Sequence, residues 1–433
     1  MTIGTDVRRP PINTVLAGGR VLDPARGLDT YADVVCADGV ITSVTPVADP
    51  GGSDPGGSDP GGSGAGGAKA GGTGGASPSR VVDCRGLVVT PGLIDLHTHV
   101  FPGLGDFCVH PDRAGVDVGV PVIVDAGTSG VRTYGLARAF AESPAVRTRV
   151  LSLLDPCLLY LATKDFIAHR LGIAADPRNL DLDATAATVE ANADATVGFK
   201  VRATVTDDPA RSPFLDGCLS IAGDRPIMIH MGRFPYTPSL SNLDAIAALR
   251  PGDIVTHAFR GHSGVLVEDA GGRPAIHPVF RDAVERGLVL DVGHSGSDFR
   301  FAAARALLEL GYRPTTISTD LNLFNTAGPV WSLPETMSKI WALGVDLPDV
   351  IAMATINTAR AIHREDELGT LDVGRSAEVS VLRLDEGEFP MSDGFETIMA
   401  PRRLVPVGCL RAGTWIEASA VANPPVPARA SAA

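Results

Sequence analysis

What this sequence lacks excludes several protein classes. It has no basic excess: 37 Lys plus Arg stand against 50 Asp plus Glu, a net charge of −13, whereas a nucleic-acid footprint needs a basic face. No apolar run reaches membrane-spanning length. The N-terminal MTIGTDVRRPP carries a basic pair but no apolar h-region, so no signal peptide is expected. Six cysteines (Cys36, Cys84, Cys108, Cys157, Cys218 and Cys409) are scattered without CxxC spacing. That is no disulfide framework, and buried free thiols in a reducing cytoplasm are the expectation. The expected partner is a small molecule, with neither nucleic acid nor membrane involved.

What is present is a large hydrophobic fraction, 44% of 433 residues, enough for a sizeable core. From Asn13, short apolar runs punctuated by Gly, Asp and Pro (NTVLAGGRVLDPARG, YADVVCADGVITSVTPV) read as three or four strands with tight turns. A Gly, Ser, Ala, Asp and Pro stretch with a GGSDP repeat follows, then the strand pattern resumes at once in RVVDCRGLVVTPG. Such a composition cannot bury a core, so it reads as a flexible loop between two strands of one domain. After Pro91 the rhythm becomes strand then helix. Eight apolar runs of strand length are expected at Leu93–Leu96, Val122–Asp125, Val150–Leu154, Val197–Val201, Ile227–Ile229, Ile254–Thr256, Leu288–Val292 and Thr316–Thr319.

Helical spacing occupies Leu182–Ala193, Leu240–Leu249, Ala275–Arg286 and Phe299–Leu310, the last stopped by Gly311, with two more helices near Pro334–Ala342 and Pro348–His363. Eight β/α units over this length fit an α/β fold of the (β/α)8, or TIM, barrel type. A doubly wound open sheet competes, but no GxGxxG follows the first strand. From Leu368 the short-strand texture returns, and the two β-rich chain ends are expected to meet as one small β-sandwich domain. The expected layout is therefore a composite sandwich from 13–48, 81–91 and 368–420, a disordered Gly-rich loop at 49–80, a barrel over 92–365, and flexible tails at 1–12 and 421–433.

In a parallel barrel, chemistry sits at the C-terminal ends of the strands. His97 and His99 end the first run, and alternation along a strand turns them to one face. Lys200 lies on the fourth run, His230 ends the fifth, His257 the sixth and Asp320 the eighth. Imidazoles with a carboxylate suit a divalent metal. A lysine buried among apolar residues has a depressed pKa, and a neutral amine can take up carbon dioxide as a carbamate able to bridge two metals. Asp320 can then accept a proton from water and pass it to the leaving group. Singly, each residue has an ordinary reading: a core histidine, an ion-paired lysine, an Asp N-cap. Jointly, their order at strand ends argues against accident. Arg202, two residues beyond Lys200, is a candidate for a substrate carboxylate. His294 after the seventh run and Tyr160 after the third are further substrate-side candidates. His110, His169, His262, His277 and His363 have no strand-end argument and read as structural or exposed.

PGLIDLHTHV, GFKVRA, IHMG, THAF and STDLN, in this order, resemble the amidohydrolase superfamily, and KVRA, DIVTHAFRG, DVGHSGSDF and ISTDL resemble its amidohydrolase/deacetylase branch, often labelled dihydroorotase-like. The resemblance implies a binuclear site. His97 and His99 with Asp320 would hold the buried metal, carbamylated Lys200 would bridge, and His230 and His257 would hold the more exposed metal, with zinc the first choice for both. Asp320 would also be the acid/base. It further implies a homo-oligomer. The reaction expected is deacetylase-type cleavage of an amide or ester in a small, carboxylate-bearing N-acyl or O-acyl substrate by metal-bound hydroxide. Cyclic-amide hydrolysis is the rival, though HTHVFPGLGD lacks the arginine that dihydroorotases usually place shortly after HxH. Purine deamination is a weaker alternative, since that chemistry commonly uses a mononuclear site without the lysine, and so is a metal-free scaffold, since none of the six ligand positions is missing.

Overall fold

The computed structural model describes residues 13–49 and 80–419. The Gly-rich stretch and both expected tails lie outside the described residues.

Seven strands form one parallel sheet, each paired with the next in chain order: Ile94–Thr98, Val122–Ala126, Arg149–Leu154, Thr196–Val201, Ile227–His230, Ile254–Thr256 and Val289–Leu290. They are buried along almost their whole length, as strands covered on both faces must be. Helices connect most of them, and their starts follow local chemistry. Asp181, Ser212, Ser241 and Ser332 each accept a backbone N–H as N-cap, of Leu182–Ala191, Pro213–Ile221, Asn242–Ala248 and Leu333–Ala342 respectively. Phe301–Glu309 stops just before Gly311, which takes a positive φ of 87°.

The eighth run, Thr316–Thr319, is not continued as a strand in the seven-stranded order, but it lies between the two ends of that sheet. Parallel bridges join Thr316 to Asp291 and, just past the run, Leu321 to Thr98. Thr316 N donates to Leu290 O and His294 N to Ser318 O on one side, and Asp320 N donates to His97 O and His99 N to Leu321 O on the other, while Ile317 N and Thr319 N go to Met353 O and the Asp95 carboxylate. Two expectations need correction. The helix expected from Ala275 begins at Pro278, because Pro274–Ile276 pairs with Leu266–Glu268 as a hairpin. The helix expected over 348–363 is two, Leu347–Met353 and Ile356–Ala361.

The chain ends meet in a single eight-stranded sheet rather than in two separately bonded ones. Its order runs Thr414–Glu417, Thr397–Arg411, Val379–Ser392, Val88–Pro91, Thr14–Asp23, Leu28–Ala37, Val40–Pro46, with Arg80–Asp83 also on Thr14–Asp23. One path suffices because Thr14–Asp23 changes partner along its length. Residues 14–17 pair with 80–83 and residues 20–21 with 88–89, across a register shift between Leu16 and Gly19. Leu16, Val34, Val89, Val379, Val381 and Leu410 share one buried cluster, so both chain ends contribute to the same core.

The hairpin of Val379–Ser392 and Thr397–Arg411 reaches beyond that core. Leu382, Phe389, Met391, Ala400 and Leu404 belong to the cluster around the parallel sheet. At the tip, Asp393 accepts Phe301 N at 2.8 Å and so closes the start of Phe301–Glu309. All six cysteines are free and buried. No helix among the described residues is long and apolar enough to cross a membrane.

Candidate metal centre

The C-terminal ends of the parallel strands open into a cavity of about 560 Å³ lined by His97, His99, Lys200, His230 and Asp320, with Tyr160, Arg202, Arg233, Arg260 and Asp298 among the other walls. His257 is buried directly beside it, its Nε2 3.1 Å from His230 Nδ1. The structure thus brings together all six positions expected to hold metal. Asp320 Oδ1 lies 3.3 Å from His99 Nε2 and 3.5 Å from His97 Nε2, and Asp320 Oδ2 lies 4.0 Å from His257 Nε2.

Hydrogen bonds behind the histidines fix which nitrogen faces the cavity. Thr256 Oγ1 donates to Asp291 Oδ2 at 2.7 Å, so its lone pair accepts the Nδ1–H of His97 at 2.9 Å. Thr128 Oγ1 donates to Asp125 Oδ2 at 2.6 Å and accepts His99 Nδ1–H at 2.8 Å in the same way. Gly293 O can only accept, so His257 Nδ1 carries the proton of their 2.6 Å bond. All three rings therefore turn an Nε2 lone pair inward, the form a metal requires. Burial, reinforced by the charge of Lys200, holds His97 well below the usual imidazole range, and burial with His257 does the same to His230. Thr128, Thr256, Asp125 and Asp291 were not visible as site residues in the sequence. Threonine and aspartate are common, and the signal is their convergence behind separate strands.

Lys200 is fully buried. Its Nζ sits 3.3 Å from His97 Nε2, and burial lowers its pKa from 10.5 to about 7. Gly127, with φ +74°, is needed beside it, because a Cβ there would press on Cβ and Cγ of Lys200 at 2.7 and 2.8 Å. Asp320 has a positive φ of 51°, rare outside glycine. Its backbone is held accordingly: its N donates to His97 O at 2.6 Å, and its O accepts amide N–H groups of Asn322 and Asn325, both at 2.8 Å. Its Oδ1 is buried without a hydrogen-bond partner among the described residues. A buried carboxylate oxygen left unpaired is costly, and here it faces two imidazole lone pairs. A divalent cation fits that vacant bonding capacity. His97, His99 and Asp320 form one group able to hold an ion, and His257, Asp298 and Asp320 another, each with ligand atoms within 4.8 Å. Asp298, absent from the expected set, is anchored by the hydroxyls of Ser295 and Ser297 and pairs with Arg260 at 3.1 Å.

The expected substrate contacts fare differently. Arg202 lines the cavity, but its guanidinium is taken by Asp155, donates to Gly127 O at 3.1 Å and lies 3.8 Å over the Tyr160 ring. Tyr160 also lines the cavity. Its hydroxyl lies 3.3 Å from His169 Nε2, and burial raises its pKa. His294 is not among the lining residues. Its Nδ1 accepts Gly296 N–H at 3.1 Å and its Nε2 meets buried Lys339 Nζ at 3.0 Å, so the ring supports the loop from behind. His110 and His277 are helix N-caps, and His262 and His363 are exposed. His169 is buried against the cavity wall, stacked on Phe234 at 4.5 Å with a 6° interplanar angle.

Residues 264–405 match the model of the Amidohydrolase family. A deacetylase of Agrobacterium fabrum is 31% identical over 328 residues, 75% of this chain and 77% of that protein. Among solved structures, a dihydroorotase superposes with a TM-score of 0.74 at 26% identity, covering 94% of this chain and 99% of that one. An adenine deaminase superposes with a TM-score of 0.76 at 23% identity, covering 94% and 100%, a likeness of fold alone.

Proposed function

The chain belongs to the amidohydrolase family, and from that premise we propose that it removes an acyl group, by deacetylase-type hydrolysis of an amide or ester, from a small carboxylate-bearing substrate. The observation that carries the reading is the convergence of four histidines, a depressed-pKa lysine and an unpaired buried carboxylate oxygen on one cavity. Likeness to a deacetylase over three quarters of the chain supports the bond type. We also read 316–321 as the closing strand of a (β/α)8 barrel, for which its two parallel bridges speak.

His97, His99 and Asp320 would hold one divalent ion and His230 and His257 a second, with Lys200 as a carbamate between them. Zinc is the first choice for that donor set. Such ions, when bound, polarise a carbonyl and make water acidic near neutral pH. The chain's own residues supply the rest. The threonine-backed rings keep their lone pairs aimed without reorganisation. Asp320, its backbone pinned on both sides, takes the proton of the attacking water on its carboxylate and hands it to the departing nitrogen or oxygen. Phe107, Phe166, Phe234 and Phe324 wall the cavity and displace water around a bound acyl group.

The test is metal analysis joined to a panel of N-acetyl and O-acetyl acids beside dihydroorotate and hydantoin. Two metals per chain with turnover of acyl acids is the expected result. Turnover of rings alone would replace this reading with the second one, cyclic-amide hydrolysis, which the dihydroorotase-like structure favours.

A further inference from the structure

We infer that Arg233 receives the substrate's carboxylate and sets a preference for acylated acids; this rests on the acyl-hydrolase reading above. Three arginines line the cavity. Arg202 is buried and committed to Asp155, so a second carboxylate there would crowd two anions onto one guanidinium. Arg260 is committed to Asp298 and to the carbonyl of Met231. Arg233 is exposed at the cavity and has no hydrogen bond or ion pair among the described residues. An incoming carboxylate adds a negative charge to a cavity that already holds Asp298 and Asp320, and the unmatched cation is the group that can balance it.

The backbone at Arg233 is set in advance. His230 ends its strand, and Arg260 then donates to Met231 O. Gly232 N donates to Asn242 Oδ1 at 2.9 Å. Gly232 has φ +122°, and a Cβ there would collide with the Arg260 guanidinium, so only glycine makes this turn. On the other side Phe234 is stacked on His169 and lies 4.4 Å from the His230 ring. Arg233 is thus an unpaired side chain between two pinned neighbours, and binding need order only the side chain. The same short segment carries His230, so an anion held at Arg233 is placed in register with the proposed metal ligands.

The experiment compares Arg233→Met with the wild type on an N-acetyl or O-acetyl acid and on the uncharged carboxamide of the same compound. The variant is expected to lose about 30- to 100-fold in kcat/KM on the acid, mostly through KM, and a several-fold smaller amount on the carboxamide. Arg233→Lys is expected to recover part of the loss on the acid. Arg202→Met is expected to damage both substrates together, through the Asp155 pair it breaks. Equal losses on acid and carboxamide in Arg233→Met, or an unchanged preference between them, would overturn the inference. Should the wild type open rings and no acyl acids, the acyl reading falls while Arg233 is still decided: selective loss of dihydroorotate over hydantoin supports it, and parallel loss refutes it.

Discussion

Replacing Thr256 with valine tests whether the residues behind the histidines tune the metal centre. The change keeps shape and β-branching in a buried strand residue, and it removes one hydroxyl. That hydroxyl makes two bonds, accepting from His97 Nδ1 at 2.9 Å and donating to Asp291 Oδ2 at 2.7 Å. Asp291 keeps the hydroxyls of Thr316 and Ser318, at 2.8 and 2.7 Å, so its loss is partial. His97 has no second partner at Nδ1 and is left with a buried unsatisfied N–H, costing about 1–3 kcal/mol. The ring is then free to adopt the other tautomer, whose Nε2–H cannot ligate. The expected outcome is a ~10- to 100-fold loss of metal affinity by chelator competition, with kcat/KM falling in parallel and recovering in excess metal. Thr256→Ser, which keeps the hydroxyl, is expected to stay within a few-fold of wild type. Full metal affinity and activity in Thr256→Val would refute the relay.

Lys200→Ala is expected to lower metal content from two ions per chain toward one and to abolish turnover; two ions with full activity, by mass spectrometry and assay, would remove the bridging role. Uptake of labelled bicarbonate on Lys200, followed by carbon NMR, should fall as pH drops through about 7, where the amine becomes charged; uptake flat from pH 8 to 6 would contradict this. Asp320→Asn should cost at least ~100-fold in kcat, and a change under tenfold would exclude it as the acid/base. His169 is held by burial at about 3 instead of 6.5. Between those values the unfolded chain binds a proton that the fold does not, so this group's contribution to stability falls as pH falls. From pH 6.5 to 5, wild type should lose about 1.5 kcal/mol relative to His169→Phe in denaturant unfolding, and a constant difference would refute the assignment.

The sequence determined the rhythm and the candidate ligand positions. Largely apolar strand-length runs separated by helical spacing placed the seven strands of the parallel sheet within a few residues, because strands buried on both faces leave a mostly apolar signature. His97, His99, Lys200, His230, His257 and Asp320 were legible because each stands at the C-terminal end of such a run, where position in the chain stands in for position in space. Thr316–Thr319 looked like its predecessors. Asp95 and Met353 claim the N–H groups of Thr319 and Ile317, so isolated bridges, not a continuous ladder, tie this stretch to the strands on either side. Tertiary structure alone decided the partners of the charged groups. Arg202 looked free in the sequence and is paired with Asp155, 47 residues away; Arg233 carried no signal and is the cavity arginine left unpaired among the described residues. His294 was placed in the correct loop, but Lys339 turned its ring away from the cavity. Chain order fixes where a side chain is attached, whereas charge pairing and ring orientation depend on which segments pack beside it. For that reason the histidines, lysine and aspartate that converge on the cavity could be read in advance, and the pairing of its arginines could not.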